Sequence, residues 1–145
     1  MYIYAAVPMM ILQSAAAAPQ QPQCAVSFAT RFVDRFAELP EAIRADLTKD
    51  GKVAEPGEPF NDTDDILDPN LPQRRFIRGG RSGDKWFVWL DHGGFDHHFD
   101  VFGYRQVWEK ADRFRWYRAA ELQGEPCVAI NAFLAGVWTP QNGQD

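Results

Sequence analysis

The chain has 145 residues, 46% of them apolar and 14% aromatic, with a net charge of −5. That length fits one domain, and the apolar content is enough for a packed core, which excludes an intrinsically disordered chain. The acidic balance offers no basic footprint for a duplex and argues against nucleic acid as the partner.

Residues 1–30 contain no charged side chain, and Arg31 is the first. The apolar run MYIYAAVPMMIL followed by SAAAA predicts a signal peptide over residues 1–17, although no Lys or Arg precedes the run and Pro8 interrupts it. The run falls short of the roughly 20 apolar residues a spanning helix needs, so no stable membrane span is expected after cleavage. Residues 18–23, with Pro19 and Pro22 among glutamines, predict an extended linker. A single α+β domain is expected over 24–140 and a short tail over 141–145. The two cysteines, Cys24 and Cys127, predict one disulfide in an oxidising compartment, hence an extracytoplasmic, periplasmic or secreted, protein. Neither has CxxC spacing, so a zinc knuckle or redox dithiol is not supported.

Phe28, Phe32, Val33, Phe36 and Leu39 recur at three- to four-residue spacing and predict an amphipathic N-terminal helix. Pro40 ends it or opens a short second helix, EAIRADL, which buries Ile43 and Leu47 and stops at Gly51. Residues 53–72 hold four prolines and six acids without a base and predict a long loop. The basic segment QRRFIRGGRSGDK follows, and the two blocks are expected to attract each other. From Arg74 onward, RRFIR, KWFVWLD, HHFDVFGYRQVW, RFRWYRAAEL and CVAINAFLAGVW predict strands separated by the turns GGRSGD, HGGF, EKAD and QGEP. The expected fold is α+β: an N-terminal helix, plus the short second one, packed on a roughly five-stranded antiparallel meander. In layout alone it resembles cystatin-like or NTF2-like folds, and no family motif accompanies that resemblance.

The stretch DHGGFDHHFD, Asp91 to Asp100, contains all three histidines. A two-residue Gly93-Gly94 turn would place Asp91 opposite Asp96 with His98 nearby, on a floor of Phe87 and Trp89. Facing carboxylates call for a proton, water or a cation, so Asp91, Asp96 and His98 form a candidate site for a divalent metal such as zinc. Turn chemistry alone accounts for the same letters, and a solvated hairpin end is the preferred reading. A three-residue turn would regroup the residues and pair Asp91 with His97. On the first register His92 and His97 share the other face as a candidate titrating pair.

Asp46 to Val53 imitates the opening of an EF-hand loop, but Gly57 stands where the bidentate Glu belongs, so a helix stop at Gly51 is preferred. The glycine loop at Gly79 runs into a strand, and a hairpin turn is preferred to an anion cradle. Asn61-Asp62-Thr63 fits the N-glycosylation pattern. Arg105, Arg113, Arg115 and Arg118 interleave with Trp108, Trp116 and Tyr117, as cation–π stacking on a sheet face would require.

These features favour a small exported binding module, whose partner is a protein or small ligand of the cell envelope. Its candidate binding residues are Trp89, Trp116 and Trp138, and no cofactor beyond a possible divalent metal is implied. A metal-binding or hydrolytic enzyme on the Asp/His hairpin is the less favoured alternative, and a purely structural exported domain is the third.

Overall fold

The computed structural model describes residues 23–63 and 68–137 of the chain. The expected signal peptide, most of the linker, the tail and Trp138 lie outside the described residues. In chain order the elements are β1 (Arg31–Val33), a 3-10 turn (Phe36–Glu38), α1 (Glu41–Leu47), β2 (Val53–Ala54), β3 (Arg74–Ser82), β4 (Lys85–His92), β5 (His98–Lys110), β6 (Arg113–Gln123) and α2 (Pro126–Leu134).

Five strands lie in the order β1-β3-β4-β5-β6, each antiparallel to its neighbours. β2 adds a short parallel pairing along the same edge of β3 that β1 occupies further up. The α+β class and the antiparallel meander are therefore present. The placement of the helices differs from expectation.

The apolar stripe from Phe28 to Leu39 is not one helix. Arg31–Val33 pairs with Gly79–Arg81, and Phe36–Glu38 is a single 3-10 turn. Two glycines let that happen. A methyl on Gly79 would stand 2.9 Å from Leu39 Cδ2, and one on Gly80 would stand 2.6 Å from the Phe87 ring. With those positions bare, β1 settles close against β3, and the ladder outweighs helix propensity. Glu55 accepts from the Phe36 and Ala37 backbone N–H groups at 2.7 and 2.8 Å, which fixes the turn. The glycines are thus strand residues, and the β3–β4 turn falls at Gly83 instead, where φ is +60°.

The final expected strand is also corrected, because CVAINAFL forms α2. Pro126 opens it, and Ala129, Ile130, Phe133 and Leu134 are buried at helical spacing. Lys85 Nζ donates to the Leu134 carbonyl at 3.0 Å, satisfying one of the carbonyls left open at that helix end.

One helix lies on each face of the sheet, rather than both on one as in the one-sided layout first expected. The α1 face buries Ile43, Leu47, Phe76, Val88, Leu90 and Phe102 in one cluster. The α2 face buries Ile77, Phe87, Trp89, Val101, Ile130 and Phe133 in another. Alternation along β4 sorts Trp86, Val88 and Leu90 to the first face and Phe87 and Trp89 to the second. On β3, Phe76 and Ile77 serve different clusters as strand neighbours should, and a bulge between Phe76 and Arg78 leaves Ile77 as the extra residue, so that Arg78 pairs with Trp89.

Cys24 and Cys127 form a disulfide, with Cα atoms 5.3 Å apart and a sequence separation of 103. It joins the extended segment before β1 to the first turn of α2, rather than a helix start to a last strand. Asn131 reinforces the join by accepting from Ser27 N–H at 2.8 Å and donating to the Ala25 carbonyl at 2.9 Å. No helix among the described residues is long and apolar enough to cross a membrane.

Candidate functional site

The β4–β5 connection is five residues long, so pairing resumes with His92 opposite His98, Asp91 opposite Phe99 and Leu90 opposite Asp100. A long-range contact sets that length. Gly93 N–H donates to the Gln73 carbonyl at 2.9 Å, and a methyl on Gly93 would stand 2.0 Å from the Asn61 carbonyl oxygen. The loop around Asn61 therefore occupies the space a tight turn would need. Asn61 is itself buried, and its amide donates to the Asp68 and Leu71 carbonyls. It is thereby committed to closing the loop and is not an accessible glycosylation acceptor.

The longer connection changes the parity of the pairing relative to a two-residue turn, and with it the face of every residue on β5. Asp91 and His98 fall on opposite faces of the sheet, so Asp91, Asp96 and His98 are not brought to one point. On the α2 face, Asp91 accepts from Arg75 at 2.8 Å and contacts His97 Nε2 at 2.7 Å. Asp91 thus meets His97 as the three-residue turn predicts, but through a loop residue, since the ladder sets Asp91 opposite Phe99; Arg75 and His97 together occupy both carboxylate oxygens. The Asp96 side chain is fully in solvent, 3.9 Å from His98 Nδ1. His92 and His97, expected together, are separated in the same way.

On the α1 face a different group converges. His92, His98 and Asp100 each place one ligand-type atom within 4.8 Å of the others, the one such trio of His, Cys, Asp or Glu among the described residues. His92 Nδ1 lies 3.3 Å from Asp100 Oδ2 and His98 Nε2 3.3 Å from Asp100 Oδ1, and the two rings are 4.6 Å apart. Asp100 is buried, and its Oδ1 makes no hydrogen bond despite the approach of His98. Gln123, on the neighbouring strand opposite Asp100, places its amide nitrogen 3.3 Å from His98 Nε2.

This trio forms part of the floor of a cleft of about 840 Å³ at the end of the sheet. Its walls come from the turn after α1 (Asp50 to Lys52), the loop around Asn61 and Asn70, and Arg118 and Glu121 on β6. A smaller cleft of about 440 Å³ adjoins it beside Phe95, the most exposed large apolar side chain described, and shares His92 and His98.

A polar network braces one wall. Asp46 at the end of α1 accepts from the Tyr104 hydroxyl and from Arg118 Nε, both at 2.8 Å, and from Lys49 at 2.9 Å. Burial alone would raise the Asp46 carboxyl, but donation from Lys49, Tyr104 and Arg118 outweighs it and holds the group below its ordinary value. Burial, with the charge of Asp46, pushes the Tyr104 phenol far above its usual range despite Arg118. Burial would lower the Arg118 guanidinium, yet Tyr104 and Asp46 together raise it. The letters that imitate an EF-hand opening thus serve to fasten α1 to the sheet; the helix itself stops at Leu47 with Thr48 as its cap, earlier than expected, and Gly51, at φ +119°, closes the turn that follows.

Of the tryptophans singled out from sequence, Trp89 is buried beneath α2 and packs edge-to-face on Phe99 at 5.9 Å. Trp116 sits on the α1 face in a ladder with Phe114 and Trp108, at ring separations of 5.6 and 5.4 Å. His92 and Asp100 were missed as partners of His98, and the parity of the β4–β5 pairing was the signal that could have revealed them. Comparison of the chain with protein-family models, curated proteins and solved structures finds no match.

Proposed function

We propose that residues 24–140 form an exported, bridge-stapled binding domain that takes a small polar ligand in the cleft above His92, His98 and Asp100. The carrying observation is the open cleft of about 840 Å³ whose floor holds a buried carboxylate with an unbonded oxygen. Buried polar atoms without partners are rare in folded chains, and one at the base of a cleft is positioned to meet a ligand. The amides of Asn70, Gln73 and Gln123 and the charged heads of Lys52 and Arg118 add hydrogen-bonding groups to the walls. The Cys24–Cys127 bridge supports an oxidising, extracytoplasmic setting.

The test is amide NMR of the intact chain in EDTA against a defined panel of carboxylates, phosphate esters, sugars and amino acids. A saturable hit that moves the amides of His92, His98, Gln123 and Arg118 together supports the reading. A panel without hits, or hits confined to the β5–β6 hairpin, overturns it.

One observation favours a second reading, a protein partner at the β5–β6 hairpin: Trp108 and Phe114 are 60% and 43% exposed and stack with Trp116 in one ladder. Exposed aromatic clusters of this kind are common at protein interfaces. If wild type and Trp108→Ala recover the same material from envelope extract, that reading fails.

A further inference from the structure

The two ring nitrogens of His98 have different surroundings. Nδ1 touches the Asp96 backbone carbonyl, an oxygen that can only accept, so Nδ1 carries the proton there. In the neutral ring Nε2 is then a lone pair, able to accept from the Gln123 amide 3.3 Å away. The same Nε2 faces Asp100 Oδ1 at 3.3 Å, a carboxylate oxygen without a hydrogen bond on a side chain only 4% exposed. Two electron-rich atoms therefore oppose each other in a largely buried place, an arrangement that calls for a positive charge between them.

His92 completes the set. Its Nδ1 stands 3.3 Å from the second oxygen of the same carboxylate. The two nitrogens approach opposite oxygens of Asp100 at 3.3 Å each, and one ligand atom from each residue lies within 4.8 Å of the others. A small inward shift brings the set to the spacing of about 3.4 Å that a tetrahedral ion with bonds of about 2.1 Å needs. The His98 contact to the Asp96 carbonyl is also the usual second contact of a metal-bound imidazole, fixing the ring and leaving the other nitrogen for the ion. Two imidazoles and one carboxylate suit a borderline transition cation and not calcium or magnesium, which prefer oxygen throughout.

We propose that His92, His98 and Asp100 hold one divalent transition-metal ion of the zinc class, with its remaining coordination position turned to the cleft. The site rests on the cleft reading only for its access, because the ion enters and meets a further ligand through that opening. The competing arrangement puts a proton in the same place, making His98 an imidazolium paired with Asp100.

The test uses the full chain with its bridge intact and no histidine tag, stripped with EDTA and titrated with zinc chloride by calorimetry, and separately with cobalt(II) by visible absorption. One zinc per chain is expected, with cobalt bands of a nitrogen- and oxygen-ligated ion. His98→Gln and Asp100→Asn should each weaken zinc by about 100-fold or more, since each deletes one of three ligands. His97→Gln, on the other face, should leave affinity within about twofold. If either ligand variant fails to fold, imidazole nitrogen NMR of the wild type decides the matter. One equivalent of zinc should move the His92 and His98 ring nitrogens and not those of His97. No stoichiometric uptake, uptake indifferent to His98→Gln, or a doubly protonated His98 that ignores zinc would overturn the metal site. Hits from the polar panel in EDTA with no zinc uptake remove the metal and leave the cleft reading standing. Zinc uptake without panel hits does the reverse.

Discussion

Tyr104→Phe isolates one hydrogen bond in the wall that braces the cleft. Tyr104 is fully buried, and Phe fills the same space, so no cavity opens and only the 2.8 Å contact to Asp46 is lost. A hydrogen bond to a charged partner contributes about 1.5–3 kcal/mol. Arg118 still donates to the same oxygen and Lys49 to the other, which places the expected loss near the low end, at about 1–2 kcal/mol at pH 7. The Asp46 carboxyl is held below its ordinary value of 3.8 in the folded chain. The unfolded chain therefore binds the proton first as pH falls, and the stabilisation present above that value is lost through the folded value. Without the Tyr104 hydroxyl the folded value rises towards 3.8, so the gap between wild type and variant should narrow below about pH 4. Urea unfolding followed by tryptophan fluorescence gives the gap at each pH, and carbon NMR of the Asp46 carboxyl gives its midpoint directly. A gap equal at pH 7 and pH 3, or an unmoved Asp46 midpoint, would refute the reasoning.

Gly103→Ala puts a methyl 2.5 Å from the Phe133 ring, which is fully buried between α2 and the sheet. Overpacking of that kind costs about 1–3 kcal/mol by denaturant titration, and Phe133→Leu in the same chain should recover part of it as a favourable coupling. Gly93→Ala collides with the Asn61 carbonyl and should cost more than Gly94→Ala, which meets nothing and carries only the strain of φ +101°, about 1 kcal/mol; thermal melts of the pair give the ranking. Replacing both cysteines by serine should remove about 2–5 kcal/mol, the chain-entropy value for a loop of ~100 residues being about 4.7 kcal/mol. An unchanged urea midpoint would show that the unfolded chain is held compact by other means.

The elements legible in the sequence were those whose signal is local. EAIRADL lies between Pro40 and Gly51, and its two large apolar residues, Ile43 and Leu47, are the ones α1 buries. The β4 alternation of KWFVWLD survives as two opposed clusters, and the two cysteines pair. Where the reading failed, distant residues decided. Phe28 to Leu39 has helical spacing, but the bare track of Gly79 and Gly80, more than forty positions on, offers a strand partner instead. α2 was legible in principle, since Pro126, Ala129, Ile130, Phe133 and Leu134 fit a helical face; its apolar letters, broken only by Asn131, suggest a buried strand equally well. The candidate site failed on one count alone, the length of the β4–β5 loop. That length depends on Asn61 and Gln73 pressing on Gly93, which no window around DHGGFDHHFD contains.

The Cys24–Cys127 bridge also has a mechanical consequence. Every strand and α1 lie between its two ends, so covalently the sheet sits inside a closed ring. Tension applied along the chain from outside that ring passes through the sulfurs and largely bypasses the ladders. With the bridge closed, pulling should release almost no length. Once it is reduced, the same pull can unravel 103 residues, about 370 Å of contour at full extension. Resistance of this protein to stretching is therefore governed by the redox state of one bond more than by the strength of its sheet.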